Sequence, residues 1–552
     1  MKNTLLSKWR ARYLPFYRAY VRSEKYSIIA LMVATAVDLV CSFSTPLLLR
    51  FLIDDIIIGG ETGSFAYLVF VLVIVSLLFF LSRYFTTYLT GKLSVKVESN
   101  VRLGILTRLQ HTTLANVYRI GSGDVLSRLM HDIHVCQHLF TTHIIQFFGS
   151  LTSIVLPLVI MIVMRWDLAL ICASSTVIYV PISLNYGKRL KVRQKNQLEK
   201  NAKVFSFLKE ALSTFPLIKT FGAEEYQEKR FDKELDELKE SVVLTSKTYA
   251  WFMGFATFLL FLPDILLFFV GGNMALSGAI TIGTFVAFST YFIQFYTPIN
   301  AVVSLWGNVK MSAAAFDRVY EVISMEVEES GEVELVVKNR RIDFRDVSFS
   351  YGNKAVFNGF NVTFEEGVNF LVGDNGTGKT TIFNLILRLY KPNGGTIEIG
   401  GQDVSEVKLG SLRKNISLLP QEAQLLDTSI YENILLGNLS ASESDVVAAA
   451  KLARAHDFIS RLPKGYKTLV SEGGLNLSVG EKQKIALARA FLKGSPIILL
   501  DEAASIDEES KRSLFETLRE AASVKIIVMS THDRSGIRAD DRIIDLNKIK
   551  KR

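Results

Sequence analysis

Gly373-Asp374-Asn375-Gly376-Thr377-Gly378-Lys379-Thr380 decides how the C-terminal part of this chain folds. The stretch reads G-x-x-x-x-G-K-[ST]. An apolar run over 368–372, suited to a buried strand, precedes it, and Thr381-Ile382-Phe383-Asn384-Leu385-Ile386-Leu387 follows with the apolar spacing of a helix packed on that strand. Strand, glycine-rich turn and helix together predict a phosphate cradle. Glycines let successive backbone N–H groups converge on phosphate oxygens, and the positive end of the helix dipole adds to them. Lys379 is placed to reach the β- and γ-phosphates, and the Thr380 hydroxyl to ligate Mg²⁺. The alternative, a glycine-rich turn with no nucleotide, does not account for the complete strand–turn–helix context.

Outside this motif the 552-residue chain is two unlike parts. Its composition is 49% hydrophobic with a mean hydropathy of +0.27, yet 21% charged. Residues up to about 310 carry long apolar runs, and the remainder has the balance of a soluble α/β domain. The net charge of +9 does not point to nucleic acid, because of where the charge lies. Lys2, Lys8, Arg10, Arg12, Arg18, Arg22 and Lys25 all precede the first apolar run, where the positive-inside rule puts basic residues beside anionic headgroups. That run is too long and too far from the N-terminus for a cleaved signal peptide, so it is expected to stay as an anchor. Cys41, Cys136 and Cys172 are the only cysteines, an odd number that supports neither a disulfide framework nor a cysteine metal site.

In the membrane half, Trp9, Tyr13, Leu14, Phe16, Tyr17 and Tyr20 interleave with arginines and predict an interfacial helix with aromatic and basic anchors. About six apolar stretches approach the ~20 residues that a spanning helix needs. They lie near 27–53, 64–91, 139–164, 167–186, 250–271 and 283–306. The connections at 54–64, 165–167 and 271–281 are short, and only Arg165 among them is basic. Those at 92–138 and 187–249 are long and rich in Lys and Arg, which places them, and both termini, in the cytoplasm. The long segments continue the spans as helical stalks, with breaks expected around 112–123 and at Ser213-Thr214-Phe215-Pro216. Asp38 and Asp264 fall inside expected spans. Each marks either a substrate pathway or a carboxylate paired with a neighbouring helix. His131, His134 and His138, spaced to share one helix face, have two readings: a metal- or proton-sensing group, or a solvated surface.

An acidic stretch over 326–334 reads as a linker, and from Ile342 short apolar runs alternate with helices as in an α/β domain. Pro496-Ile497-Ile498-Leu499-Leu500-Asp501-Glu502 is an apolar strand ending in two carboxylates. Asp501 is assigned to Mg²⁺ and Glu502 to polarising the water that attacks the γ-phosphate. A later strand over 524–529 ends in Ser530-Thr531-His532, and His532 is expected to hydrogen-bond the γ-phosphate or that water.

Here the residues support a family resemblance. The domain resembles the nucleotide-binding domain of ABC transporters, and nearly the whole chain resembles an ABC exporter half-transporter of the type IV fold. Tyr351 in Phe349-Ser350-Tyr351-Gly352 matches the family's adenine-stacking aromatic, and Gln421 in Leu419-Pro420-Gln421 matches the loop glutamine that contacts Mg²⁺. Gly123-Asp124-Val125-Leu126-Ser127-Arg128-Leu129 and Ile218-Lys219-Thr220-Phe221-Gly222-Ala223-Glu224 resemble its cytoplasmic-loop patterns and imply coupling helices near 112–118 and 212–218. The resemblance implies ATP and Mg²⁺ as cofactors. It implies a nucleotide site of Tyr351, of Gly373, Asp374, Asn375, Gly376, Thr377, Gly378, Lys379, Thr380 and Thr381, and of Ser478 and Gly480. Thr380, Gln421 and Asp501 would face the metal, with Glu502, His532 and Gln421 catalytic.

Two departures stand out. The family signature L-S-G-G-Q appears as Leu477-Ser478-Val479-Gly480-Glu481, and its S-A-L-D as Ser505-Ile506-Asp507-Glu508. Val479 restricts φ where glycine is free, and Glu481 either puts a carboxylate near phosphate or completes a capping box with Ser478. In the family this segment closes over ATP held by the other subunit. A homodimer is the favoured assembly, with a heterodimer whose partner carries an intact signature as the alternative.

The fold expected is therefore a multi-domain membrane protein, with an N-terminal six-helix all-α transmembrane domain and a C-terminal α/β P-loop ATPase domain. Its parts are an elbow helix (1–26), the transmembrane domain (27–310), a linker (311–340) and the nucleotide-binding domain (341–552). The activity implied is ATP-driven export of an amphipathic peptide, drug or lipid by alternating access, from a bacterial plasma membrane. Uptake of a metal chelate and ATP-gated regulation without transport are the alternatives. The expected partners are a second half-transporter subunit, membrane lipid and the transported molecule, with no nucleic acid. Among these an amphipathic peptide or drug is slightly preferred, cationic if Asp38 and Asp264 line the cavity.

Overall fold

The computed structural model describes residues 9–501 except 338, 472 and 473, and beyond them 516, 519, 525–531, 537, 538 and 541–549. The chain forms two compact units. One comprises Met1–Leu109 with Ser122–Ser324, the other Gln110–Gly121 with Met325–Arg552.

Apart from shorter pieces, the helices before residue 325 are, in chain order, α1 (Lys25–Phe51), α2 (Phe65–Gln110), α3 (Leu114–Ile120), α4 (Thr142–Ser213), α5 (Phe215–Phe221), α6 (Glu224–Leu276) and α7 (Ile282–Ile323). All but α3 belong to the first unit. Among the described residues, the helical runs Ala11–Ile58, Thr62–Gln110, Gly123–Ile171 and Glu224–Leu276 are long and apolar enough to cross a membrane. The stretches expected at 167–186 and 283–306 fall on α4 and α7. Helix α4 breaks at Arg165, where φ −160° and ψ 103° turn the chain between two helical halves at the short connection that the sequence marks. Apolar side chains along α2, such as Phe70, Val73, Leu77 and Phe80, are exposed, as a lipid-facing surface requires.

Inside this unit, Phe288, Tyr291, Phe292 and Phe295 of α7 pack with Met161 and Leu168 of α4 and Leu259 and Leu267 of α6. Burying one such large side chain contributes roughly 1.5–3 kcal/mol. Polar ties fix the helices in register. Tyr291 OH donates to the Phe43 carbonyl at 2.6 Å, and the Gly283 N–H donates to Asp54 Oδ1 at 2.8 Å, so one helix's carboxylate caps another's N-terminus. Arg128, in the motif at 123–129, is buried and donates to Asp124, to Glu321 and to the Arg318 carbonyl.

Two expectations change. The N-terminal aromatics do not all serve as lipid anchors: Tyr13 stacks on Phe316 at 4.3 Å, and Phe16, buried, stacks on Phe140 at 4.9 Å. The histidine cluster extends past the expected face, because the chain turns at 138–141 between the short helix Ile133–Gln137 and α4 and brings His143 beside His138. The rings that neighbour one another are His134 and His138, 5.4 Å apart, then His138 and His143, 5.8 Å apart. His134 pairs with Glu98 at 3.2 Å, and His143 meets Ser312 at 3.1 Å. Among the described residues no group of three or more His, Cys, Asp or Glu side chains is arranged to hold a metal ion. Cys41 and Cys136 are free and buried.

In the second unit, β1 (Arg341–Tyr351), β2 (Lys354–Glu365), β4 (Gly394–Ile399) and β5 (Gln402–Asp403) form an antiparallel sheet in the order β2-β1-β4-β5. The central sheet is parallel, β6-β7-β8-β3-β9, built from β3 (Gly367–Val372), β6 (Ile416–Leu419), β7 (Ile497–Leu500), β8 (Ile526–Thr531) and β9 (Arg542–Asp545). The continuous apolar runs reflect burial on both faces. Ile497, Leu499, Ile526 and Val528 point to one core with Ile382 and Phe383, while Ile498, Leu500, Ile527 and Met529 point to a second with Ile485 and Leu487. The acidic linker is held against this unit: Glu328 takes two bonds from Arg413, at 2.6 and 2.7 Å, and Val333 bridges to Val407. Helix α3 belongs to the same unit, tied in where the Thr112 hydroxyl donates to the Glu326 carbonyl at 2.8 Å and the Glu328 N–H to the His111 carbonyl at 2.8 Å.

Candidate nucleotide site

Open parallel sheets bind ligands beyond the carboxyl ends of their strands. At those ends β3 delivers the loop 373–378, β7 delivers Asp501, and β8 delivers Ser530. The loop leads into α8 (Lys379–Ile386). Gly376 (φ 80°) and Gly378 (φ 103°) occupy the left-handed region. A side chain at Gly378 would place its Cβ 2.6 Å from the Phe357 ring, so glycine is required there twice over. Lys379, only 8% exposed, folds back over the loop with Nζ 2.6 Å from the Gly373 carbonyl, which holds its ammonium at the mouth of the cradle. Thr377 Oγ1 donates to the Asp374 carbonyl, and the Asp374 N–H is 3.4 Å from Asn547 Oδ1. Asn375 is exposed at the loop tip, and Thr381 is buried at the helix start.

Asp501 is buried and accepts two hydroxyl hydrogen bonds, from Thr380 Oγ1 and from Ser530 Oγ, each at 2.7 Å. The expected metal-facing pair, Thr380 and Asp501, is thus together. Ser530 is the member that sequence reasoning passed over. It directly precedes Thr531 and His532, but only the strand order puts β8 between β7 and β3.

Tyr351 is partly exposed and meets Phe349 edge-on at 4.8 Å and Tyr390 edge-on at 5.0 Å. Asn384 Nδ2 lies 3.4 Å from its hydroxyl. Burial, and then the nearby hydroxyls of Tyr351 and Tyr118, push the Tyr390 hydroxyl up in pKa, so Tyr390 is neutral at pH 7. Tyr390 was not foreseen either, since an aromatic after an apolar helix reads as core. Gln421 is exposed, and its carbonyl lies 3.4 Å from Gln483 Nε2 of α10 (Val479–Lys493), after α9 (Glu443–Leu452).

The signature segment resolves one alternative. Ser478 is the N-cap of α10. Its hydroxyl donates to Glu481 Oε2 at 2.8 Å, its N–H donates to the same oxygen at 2.8 Å, and the Glu481 N–H donates back to its hydroxyl at 3.3 Å. This is the reciprocal capping box. Val479 takes the first helical position with its side chain 60% exposed, and Gly480 follows it. Glu502 and His532 lie outside the described residues, as do Ser505, Ile506, Asp507 and Glu508.

Residues 28–299 match the family model for the ABC transporter transmembrane region, and residues 357–505 match the model for the ABC transporter. An ATP-dependent lipid A-core flippase of Desulfotalea psychrophila is 30% identical over 516 residues, covering 91% of this chain and 88% of that one. The chain belongs to the ABC transporter family. A flippase of the same name from Syntrophus aciditrophicus is 28% identical, with 97% of this chain and 90% of the relative covered. A Bacillus subtilis protein named for multidrug export is also 28% identical over 97% of this chain and 93% of its own length. The fold matches that of a bacterial Atm1-family ABC exporter with ATP bound, with a TM-score of 0.78 at 22% identity, over 95% of this chain and 94% of that one. This ABC transporter is a half-transporter of the exporter type: an integral membrane protein and an ATP-hydrolysing translocase. A half-transporter carries one of two motor domains, so the working assembly is a dimer.

Proposed function

We propose that this half-transporter exports an amphipathic peptide, drug or lipid by alternating access. The observation that carries the proposal is the joining, in one chain, of lipid-facing helices to a site where Lys379, Thr380 and Asp501 converge on one glycine-rich loop. The names of its relatives, lipid A-core flippase and multidrug export protein, support an amphipathic cargo. We read the chain as an elbow (1–26), a transmembrane domain (27–310), a linker (311–340) and a nucleotide-binding domain (341–552). The basic residues before the first span favour cytoplasmic termini and a cytoplasmic motor, in a bacterial plasma membrane.

In the proposed mechanism, the N–H groups of residues 373–381 and the Lys379 ammonium bind the phosphates, and Tyr351 stacks on adenine beside Tyr390. Thr380 and Asp501 offer the hard oxygens that suit Mg²⁺, and Gln421 completes that side; the ion would neutralise charge on the β- and γ-phosphates. Glu502 orients and polarises the attacking water, and His532 donates to the γ-phosphate. ATP joins two motor domains by binding the joined state better than the separated one, and hydrolysis removes that preference. We favour a homodimer, since Ser478 and Gly480 retain the hydroxyl and helix N-terminus that a partner's ATP would use. His134, one of the histidines behind the metal-chelate alternative, is paired with Glu98 at 3.2 Å, so we favour export over chelate uptake.

The altered signature gives one expected outcome. For Ser478 to donate to a partner's γ-phosphate it must release Glu481, whose carboxylate would then face phosphate. Glu481→Gln keeps the capping box and removes the charge. It is expected to raise the apparent ATP affinity of hydrolysis roughly fivefold, as removal of a like charge of about 1 kcal/mol would. The ATP dependence of phosphate release measures this, and an unchanged midpoint would remove the electrostatic role.

Export itself is tested in proteoliposomes. ATP added to outward-facing motor domains should drive a fluorescent amphipathic dye into the lumen, and Glu502→Gln should abolish the uptake. Efflux from preloaded liposomes on the same ATP addition would mean import instead.

A further inference from the structure

The loop that carries Gln421 runs from the end of β6 at Leu419 to the short helix Ile430–Leu435. Its front end is fixed beside the metal-facing carboxylate, because the Asp501 N–H donates to the Leu419 carbonyl at 2.8 Å. Its rear end folds around two polar side chains that the proposed catalysis does not use, Asn433 and Arg489. Asn433 is fully buried and commits its whole amide to this region. Its Oδ1 accepts from the Leu426 N–H at 2.9 Å, and its Nδ2 donates to the Leu426 carbonyl at 2.9 Å and the Ser429 carbonyl at 3.1 Å. Arg489, in the second half of α10, donates through Nε to the Asn433 carbonyl at 2.8 Å and through Nη2 to Asn433 Oδ1 at 2.9 Å. Its Nη1 reaches further and donates to the Gln424 carbonyl at 3.1 Å.

Among the described residues Arg489 has no carboxylate partner, and burial pulls its pKa down. Desolvating a guanidinium against carbonyls and an amide alone is costly. A close approach nevertheless holds it there: at Gly437 an added Cβ would lie 2.2 Å from the Arg489 carbonyl, so the chain after the short helix lies directly on α10. The two bonds to Asn433 would serve merely to fasten a turn. The bond to Gln424 does more, because it anchors the loop just beyond Gln421. Between the anchors at Leu419 and Gln424 only Pro420, Gln421, Glu422 and Ala423 remain, and Pro420 has its φ fixed. So short a tether confines Gln421 to the neighbourhood of Asp501. Gln483 of α10, 1% exposed, adds a further hold, with Nε2 3.4 Å from the Gln421 carbonyl.

We propose that Arg489 and Asn433 are positioning residues for Mg²⁺ binding: by pinning the rear of the loop they keep Gln421 where it completes the metal side that Thr380 and Asp501 begin. They touch neither nucleotide nor metal and act through Gln421. The proposal rests on the reading of Gln421 as metal-facing. Outer groups that orient a metal's own ligands are commonly worth tenfold or more in metal affinity, although they contact nothing that reacts.

The test is nucleotide binding by the full chain in lipid nanodiscs, with adenylyl imidodiphosphate as a probe that is not hydrolysed. The quantity read is the ratio of its Kd in EDTA to its Kd in Mg²⁺, the tightening that the metal gives. Arg489→Met and Gln421→Ala should each cut that ratio at least about fivefold and leave the Kd in EDTA within roughly twofold of wild type. The double variant should match Gln421→Ala alone, because Arg489 acts on the metal only through Gln421. Arg489→Lys keeps the charge without the planar fork, and should fall between wild type and Arg489→Met. If Arg489→Met binds no nucleotide even in EDTA, the same comparison is made with Arg489→Lys. A ratio unchanged in the Arg489 variant beside a reduced one in Gln421→Ala would overturn the proposal. So would a double variant whose loss is the product of the two single losses, which would make Arg489 a structural residue only. An unchanged ratio in Gln421→Ala would overturn the metal-facing reading of Gln421 itself, and this proposal with it.

Discussion

Lys379→Ala is expected to abolish ATP hydrolysis and to weaken ATP binding about 100-fold. The Lys379 ammonium is buried, and the Gly373 carbonyl holds it over the loop at 2.6 Å, so it meets the phosphates already placed. A charge-assisted hydrogen bond to phosphate is worth about 1.5–3 kcal/mol, and the upper end of that range is a factor of roughly 100 in affinity. Arginine will not restore it, because the larger planar group does not fit a space sized for an ammonium. The thermal shift that ATP induces separates this loss from misfolding. Saturating ATP at about 100 times its Kd stabilises a binding protein by roughly 2.7 kcal/mol. The variant should unfold near the ligand-free wild type and gain little from ATP. A variant that still shows the full ATP shift would contradict the placement of the phosphates.

Asp501→Asn should lower hydrolysis at least about 100-fold while leaving metal-free ATP binding intact. Asp501 is buried between two hydroxyl donors, Thr380 and Ser530, each at 2.7 Å, and its charge is what a divalent cation would share with Thr380. Asparagine keeps one acceptor but turns an NH₂ toward a donating hydroxyl and removes the negative charge. ATP binding measured in EDTA should match wild type, and the tightening on adding Mg²⁺ should vanish. Equal tightening in both proteins would move the metal off Asp501.

The loop 373–380 was legible because its information is local: glycine spacing, a preceding apolar run and a following amphipathic helix all fall within about 20 residues. The capping box of Ser478 and Glu481 was legible as an alternative for the same reason, and the structure makes it the one that holds. Ser530 was not legible. Its role depends on the parallel order β7-β8-β3, a tertiary fact that no short-range pattern carries. The spans were legible from hydropathy, and so were the stalk ends: the breaks expected around 112–123 and at Ser213-Thr214-Phe215-Pro216 meet the ends of α2 at Gln110 and of α4 at Ser213. The histidine spacing was legible over His134 and His138, whose rings lie 5.4 Å apart, but the approach of His143 was not, because the turn at 138–141 carries neither Gly nor Pro to announce it. Tyr13 and Phe16 looked like lipid anchors because their partners, Phe140 and Phe316, lie far away in the chain.

The proposed homodimer must hydrolyse ATP despite the altered signature of each chain. The most direct test is Mg²⁺-dependent ATPase activity of the chain purified alone in lipid nanodiscs, beside Glu502→Gln. Steady hydrolysis by the wild type is expected, with a fall of about 100-fold or more in the variant. A folded, ATP-binding wild type no faster than Glu502→Gln would contradict it, and would require a second subunit with an intact signature.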